Sequence, residues 1–184
     1  MAVKVKPIVI NNRKFSGLIN NERIINEIGR LAQEITTDYK DRNPLFVVIL
    51  NGAFMFAADL LKELEMEMRI TFIRVASYEA MESTGSVKDL LGLAENISGE
   101  DIILVEDIID SGLTVRKVIS DMKEMGAASV SVATLLHKED RVHSDLPIDY
   151  IGFTIDDRFV VGYGLDLDGI GRNLKHIYAL DEGA

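Results

Sequence analysis

The sequence predicts an α/β fold, a twisted and mainly parallel sheet flanked by helices. Two strand-to-helix units carry this prediction. In the first, the apolar run Leu45–Leu50 ends in a turn signal and is followed by a helical pattern over 54–65. In the second, the apolar run Ile102–Val105 is followed by a polar turn and a helical pattern over 115–125. Short apolar strands that alternate with amphipathic helices are typical of a parallel sheet covered on both faces.

The remaining elements are predicted in chain order from the same periodicities. A short strand is expected over 7–10, with a turn or second strand over 15–20. A helix of about 18 residues begins near Asn20 or Asn21, either of which suits the N-cap, because isoleucines recur after it at helical spacing. Further strands are predicted over residues 70–75, 129–136, 150–154 and 176–180.

Composition limits the class of protein. The 184 residues suit one compact domain over 1–184 with a sizeable core. Twenty basic and thirty acidic residues give a net charge of −10, which disfavours a nucleic-acid partner and leaves an anionic substrate to local cations and Mg²⁺. The absence of cysteine excludes disulfides, thiolate nucleophiles and cysteine-based zinc sites.

The sequence also gives expectations for localisation and for the histidines. No apolar run approaches membrane-spanning length and no signal-peptide core is seen, so we expect a cytoplasmic protein with no membrane partner. The three histidines are scattered and predict no metal cluster. His137 and His143 are predicted at the surface, and His176 at a strand edge.

The turn after the strand Ile102–Val105 has the chemistry of a phosphate- and sugar-binding loop. Gly112 lets the backbone approach an anion, Ser111 and Thr114 add hydroxyl donors, and a helix N-terminus follows. Glu106 and Asp107 can accept hydrogen bonds from ribose hydroxyls or hold a hydrated Mg²⁺. Because the loop has no lysine and GxxxxGK[ST] is absent, a phosphorylated sugar is favoured over a nucleoside triphosphate.

The segment Val105–Thr114, VEDIIDSGLT, resembles the phosphoribosyl-pyrophosphate (PRPP) motif of type I phosphoribosyltransferases, and its EDIIDSG form is similar to their hypoxanthine/guanine branch. Five segments match in the family's order over residues 7–180. The resemblance implies a parallel-sheet core over about 21–145 and a small hood, built from about 1–20 and 150–184, that supplies a base pocket. It also implies a Mg²⁺-dependent purine-salvage transferase that joins a 6-oxopurine to PRPP and releases pyrophosphate.

The resemblance assigns roles around the PRPP motif. Asp110 is the implied general acid/base near N7 of the purine. The implied metal-binding residues are Glu106, Asp107 and Asp166, of which Asp166 serves a second Mg²⁺ shell. The implied PRPP-binding residues are Glu106, Asp107, Ile109, Asp110, Ser111, Gly112, Leu113 and Thr114.

A second set of residues matches the family's pyrophosphate site, where backbone N–H groups are used and a non-proline cis peptide is common. The family often has a basic residue at the position of Asn51, so this chain keeps the backbone contact but lacks that charge. A long mobile loop is implied over 77–88. The implied pyrophosphate-binding residues are Leu50, Asn51, Gly52, Ser77, Tyr78 and Arg172.

The implied purine-binding residues are Lys138, Phe159, Val160 and Asp166. Lys138 matches the lysine that donates to the 6-oxygen of the purine, Phe159 the ring that stacks on the base, and Val160 the residue whose backbone pairs with the base edge. A charged donor there accepts a 6-oxopurine and rejects adenine, whose 6-amino group offers no acceptor.

Three alternatives stay open on the sequence. The first is a xanthine-type purine phosphoribosyltransferase. The second is a non-catalytic regulator that keeps the fold, senses PRPP or nucleotides and binds nucleic acid, which the net charge of −10 disfavours. The third is an α/β hydrolase, disfavoured because cysteine and G-x-S-x-G are absent. The family commonly forms dimers or tetramers, so we expect a homodimer or homotetramer.

Overall fold

The computed structural model describes residues 5–75, 93, 96–139 and 146–181. None of the helices within these ranges has the length and apolar character needed to cross a bilayer. The elements are β1 (Ile8–Ile10), β2 (Arg13–Ile19), α1 (Asn21–Asp38), β3 (Leu45–Leu50), α2 (Phe54–Glu63), β4 (Arg69–Arg74), β5 (Asp101–Ile109), α3 (Leu113–Glu124), β6 (Ser129–His137), β7 (Tyr150–Thr154), β8 (Val160–Val161) and β9 (Ile177–Leu180).

Five strands form a parallel sheet in the order β4-β3-β5-β6-β7. The central strand β5 is buried on both faces. Its Ile103 and Val105 pack with α1 and α2, whereas Ile102 and Leu104 pack with α3 on the other side. A strand covered on both faces needs no polar alternation, which explains its continuous apolar run. The predicted α/β class is confirmed.

The chain ends form a second, antiparallel sheet in the order β1-β2-β9-β8. Phe15, Val161 and Tyr178 lie in its own small apolar cluster. The division of the chain into a core and a hood stays a prediction. Strand β7, which lies within the predicted hood range 150–184, pairs with β6 in the large sheet, with Leu136 opposite Phe153.

Helix α1 begins where the sequence predicts. Asn20 is its N-cap, and the Asn20 side chain accepts a hydrogen bond of 2.9 Å from the Arg23 N–H. Ile24, Ile28 and Ile35 are buried along one face of the helix. Local capping and periodicity are sufficient to place this element.

Strand β5 and helix α3 differ from their predicted limits. The strand was expected to end at Val105, but it continues to Ile109 because its last residues pair with β6, including Glu106 with Thr134. Gly112 then takes a left-handed φ of 76° and α3 starts at Leu113. Leu113 and Thr114, predicted in the turn, are therefore the first residues of the helix.

Candidate active site

The predicted site residues collect at the carboxyl edge of the parallel sheet, where ligands of open α/β folds bind. Strands β3, β5 and β6 end side by side there, followed by the Leu50–Gly52 loop, the Asp110–Gly112 turn and Lys138. The Lys138 N–H donates to the Ile109 carbonyl at 3.0 Å, which ties the ends of two strands together.

The N-terminus of α3 lies open beside this edge. Gly112 occupies the N-cap position and supplies no side-chain cap, and the first turn contains no acidic residue. The Ser111 hydroxyl is 3.5 Å from the Leu113 N–H, at the outer limit of a hydrogen bond. The N–H groups of the first turn have no acceptor within the helix, and together with the positive end of the helix dipole they suit a phosphate group.

Glu106 and Asp107 lie inside β5, so their side chains point to opposite faces of the strand. Burial, with the neighbouring Asp107 charge, raises the pKa of Glu106 well above its ordinary value. Burial also raises the pKa of Asp107 to about 6. The Ile108 N–H, which donates to Asp107 Oδ1 at 3.0 Å, opposes that rise. Both carboxylates are held in surroundings that favour a cation or a hydroxyl donor.

Gly52 of the predicted pyrophosphate loop is packed between two other parts of the site. A Cβ atom at Gly52 would overlap the Asp107 carboxylate, and a Cβ atom at Gly164 would overlap the Gly52 carbonyl. Only glycine fits these approaches. The Leu50–Asn51 peptide bond preceding Gly52 is cis.

Arg172 and Asp166 lie together next to this contact. Arg172 Nη1 donates to the Gly164 carbonyl at 2.8 Å, and Arg172 Nη2 is 2.6 Å from Asp166 Oδ1. Their charges act on Asp107 with opposite signs: Arg172 lowers its pKa and Asp166 raises it. The fold thus brings three predicted site residues into one neighbourhood.

The carboxylates of Asp107 and Asp166 fit a Mg²⁺ ion that is shared with a substrate. In the described part of the chain, no three His, Cys, Asp or Glu side chains are grouped so that they hold a metal by themselves. Asp107 and Asp166 are close enough for their charges to interact, whereas Glu106 points to the other face of β5. One or two carboxylates, completed by water and substrate phosphates, is the usual Mg²⁺ environment.

Lys138 is the buried cation of the site. Its side chain is only 7% exposed, and its Nζ lies 3.1 Å from Asp110 Oδ2 and 3.1 Å from Asp157 Oδ1. A lone lysine at a strand end is normally solvated, so this burial between two carboxylates is unusual. Among the described residues, these two carboxylates accept from two of the three N–H groups of the Lys138 ammonium.

Phe159 and Val160 present a ring face and a backbone edge. The Phe159 side chain is 45% exposed, and its ring packs at 6.4 Å from the ring of Phe15. Val160 lies opposite Ala179, and the Leu180 N–H donates to the Phe159 carbonyl at 2.9 Å. This is the pattern of a non-hydrogen-bonded antiparallel pair, so the Val160 N–H and carbonyl point away from β9.

Several contacts were not anticipated from the sequence. Arg74, at the end of β4, donates to Asn51 Oδ1 at 3.1 Å. Its place could have been inferred from the parallel register, which puts Arg74 beside Leu50. Asp157, the second carboxylate at Lys138, carries no local signal.

One prediction was wrong and others fall outside the structure. His137, expected at the surface, is buried, and neither ring nitrogen has a hydrogen-bond partner among the described residues. It ends a strand whose pairing with Ile109 continues to that position. Ser77, Tyr78, His143 and the predicted mobile loop over 77–88 lie outside the described residues.

Comparison with known proteins agrees with this geometry. Residues 16–168 match the phosphoribosyl transferase domain family. The chain is 39% identical over 166 residues to the hypoxanthine-guanine-xanthine phosphoribosyltransferase of Tritrichomonas foetus, covering 90% of this chain and 91% of that one. It is 39% identical over 164 residues to the hypoxanthine-guanine phosphoribosyltransferase of Bacillus subtilis, covering 89% and 91%.

Solved structures give the same result. A crystal structure of a hypoxanthine-guanine phosphoribosyltransferase from Bacillus anthracis has a TM-score of 0.79 at 34% identity, covering 90% of this chain and 96% of that one. A hypoxanthine phosphoribosyltransferase from Staphylococcus aureus has a TM-score of 0.81 at 34% identity, covering 91% and 93%. The chain therefore belongs to the phosphoribosyl transferase domain family, on its hypoxanthine phosphoribosyltransferase branch.

Proposed function

We propose that this protein transfers the 5-phosphoribosyl group of PRPP to N9 of hypoxanthine, and also of guanine, in Mg²⁺-dependent purine salvage. The observation that carries the proposal is the buried Lys138, which lies 3.1 Å from Asp110 of the PRPP motif. A fixed cationic donor beside the sugar-phosphate loop selects a base with an acceptor at its 6-position. The names of the relatives, which act on hypoxanthine, guanine or xanthine, support the same base class.

Three groups of residues bind the phosphate, ribose and pyrophosphate parts of PRPP. The open N-terminus of α3, with Ser111 and Thr114, binds the 5′-phosphate. Glu106 and Asp107 accept hydrogen bonds from the ribose hydroxyls. The N–H groups of the Leu50–Gly52 loop bind the pyrophosphate group, together with Arg172 and the resemblance-assigned Ser77 and Tyr78.

Asp107 and Asp166 are the residues that would hold Mg²⁺, whereas Glu106, the third predicted metal ligand, lies on the other face of β5. The bound ion would neutralise charge on the pyrophosphate leaving group. Burial supports the assignment of Asp107, because it raises the pKa of that carboxylate and a nearby cation would offset that cost.

The purine half positions the nucleophile. Phe159 stacks on the base, the outward Val160 backbone pairs with its edge, and Lys138 donates to the 6-oxygen. The bond from N9 to C1′ forms while the bond from C1′ to the pyrophosphate oxygen breaks. Asp110 accepts the proton that the purine loses and acts as general acid/base.

A panel of bases tests the proposal against its alternatives. Product formation is measured with PRPP, Mg²⁺ and hypoxanthine, guanine, xanthine or adenine in parallel. We expect turnover with hypoxanthine and guanine and none with adenine. Faster turnover with xanthine than with hypoxanthine would favour the xanthine-type enzyme. Xanthine is included in the panel because the name of the Tritrichomonas relative includes it. PRPP binding without turnover of any base would favour the regulator.

Assembly as a homodimer or homotetramer in the cytoplasm is part of the same proposal. Phe54 of α2 and Ile70 and Phe72 of the edge strand β4 are exposed apolar side chains that suit a contact between copies. Light scattering coupled to size-exclusion chromatography measures the assembly. A mass of about 20 kDa at micromolar concentration, that of the single 20.4 kDa chain, would contradict it.

A further inference from the structure

Asp157 is the second carboxylate at Lys138, and neither the resemblance nor the proposed roles include it. It lies in the turn after β7, whereas Asp110 lies in the turn after β5. The two carboxylates approach Lys138 Nζ at the same distance, 3.1 Å. The ammonium is thus held from two sides by turns that are far apart in sequence.

The surroundings of Lys138 require such a partner. Its side chain is 7% exposed, and transfer of an ammonium out of water is costly unless the charge is paired. Asp110 and Asp157 retain 44% and 51% of their side-chain exposure, so they can bear charge with little desolvation. The pair keeps a buried donor charged and fixes its direction.

The two carboxylates have different tasks in the proposed reaction. Asp110 takes a proton from the purine, and a neutral carboxyl group attracts the ammonium much less than a carboxylate does. Asp157 has no such task, because its turn carries none of the PRPP-binding residues. Asp157 is therefore the constant counter-charge of Lys138.

We propose that Asp157 is a positioning residue for base selection, which holds Lys138 charged and aimed at the 6-oxygen of the purine throughout turnover. The inference rests on the proposed function, since it gives Lys138 the same role. It adds that recognition of the 6-oxo group depends on a residue that does not touch the base.

The test compares Asp157→Asn with Asp156→Asn. The first variant removes the charge but keeps the size of the side chain, and the second changes the neighbouring exposed carboxylate. For Asp157→Asn we expect the KM for hypoxanthine to rise on the order of fivefold, because a charge-assisted contact to a half-exposed partner is lost. The KM for PRPP should stay within about twofold of wild type, since a base contact alone is weakened. Asp157→Glu should recover part of the loss.

The outcomes distinguish a failure of the inference on Asp157 from a failure of the proposed function. Equal KM values for hypoxanthine in Asp157→Asn and Asp156→Asn would overturn the inference alone. A parallel rise in both KM values with a lower Tm would also overturn it, because it would show a purely structural role. No turnover of hypoxanthine by the wild-type protein would overturn the proposed function, and the inference with it.

Discussion

The Tyr163 hydroxyl donates a hydrogen bond to Asp59 and so joins the segment 159–166, which carries Phe159, Val160 and Asp166, to helix α2, 104 residues away in sequence. Tyr163 is fully buried and has a left-handed φ of 52°. Burial, and then the bond to Asp59, raise the pKa of Tyr163 far above its ordinary value, so the hydroxyl remains a donor. Because α2 begins directly after the Leu50–Gly52 loop, this bond ties the helix that follows that loop to the segment 159–166.

Tyr163→Phe tests that link. The ring is kept and the hydroxyl is removed, so we expect a loss of about 1–2 kcal/mol in the free energy of unfolding. Urea denaturation measures it. Tyr178→Phe is the matched control. Tyr178 is also buried, but its pKa is raised by burial alone, without the contribution that a hydrogen bond to a carboxylate makes at Tyr163. Equal losses in the two variants would show that the bond to Asp59 contributes nothing specific.

Glycine substitutions test the packing around the Leu50–Gly52 loop. Gly164→Ala should lower both stability and activity, because its Cβ would overlap the Gly52 carbonyl and its φ is 101°. Gly29→Ala is the control within α1, where a Cβ meets nothing within 4 Å. That change should stabilise the protein by about 0.5–1 kcal/mol. Thermal unfolding of both variants gives the comparison, and wild-type stability and activity in Gly164→Ala would contradict the close approach.

The raised pKa of Asp107 predicts that the free energy of unfolding falls as pH rises. Its value is about 6 in the folded chain against an ordinary 3.8, so the folded state binds the proton more tightly than the unfolded state does. The contribution of protonated Asp107 to the free energy of unfolding is fully present below pH 3.8 and is lost as pH rises through about 6. In metal-free buffer, Asp107→Asn should therefore gain about 2–3 kcal/mol in the free energy of unfolding over wild type between pH 4 and pH 7.5. Urea unfolding at both pH values would refute the assignment if the difference between the proteins does not change.

Asp110→Asn tests the proposed role of Asp110 as general acid/base. The amide keeps the shape of the side chain but cannot take a proton, so kcat should fall on the order of 10²- to 10⁴-fold. Steady-state assays at saturating PRPP and hypoxanthine measure the loss. Nearly full activity in the variant would remove Asp110 from proton transfer.

Arg74→Gln tests whether a neighbouring strand supplies charge to the pyrophosphate loop. Arg74 donates to Asn51, and a net charge of −10 leaves PRPP dependent on local cations. The KM for PRPP should rise about three- to tenfold, with little change for hypoxanthine. Arg69→Gln is the control, because Arg69 lies at the other end of β4 and pairs with Glu100. The prediction fails if both variants have the same KM for PRPP.

Features encoded by local patterns could be predicted from the sequence. The Asn20 cap and isoleucine spacing place α1, and the run Leu45–Leu50 is strand β3 over the same residues. The extension of β5 to Ile109 could not be predicted, because it depends on pairing with β6. Burial of His137 depends on the same pairing.

The contacts between the site residues were harder to predict than the identity of the residues themselves. The resemblance named Lys138 and Asp110, but nothing local predicts that Asp157 approaches the same ammonium. The bond from Tyr163 to Asp59 joins residues whose proximity is created only by the completed fold. Such contacts are set by tertiary packing between residues that are far apart in the sequence.

Formation of inosine 5′-monophosphate from hypoxanthine, PRPP and Mg²⁺ by the wild-type protein tests the central claim most directly. The nucleotide and pyrophosphate are quantified in the same reaction. We predict that the two products appear in equal amounts and that neither forms when hypoxanthine is replaced by adenine. Pyrophosphate release without nucleotide, or no product with hypoxanthine, would contradict the account.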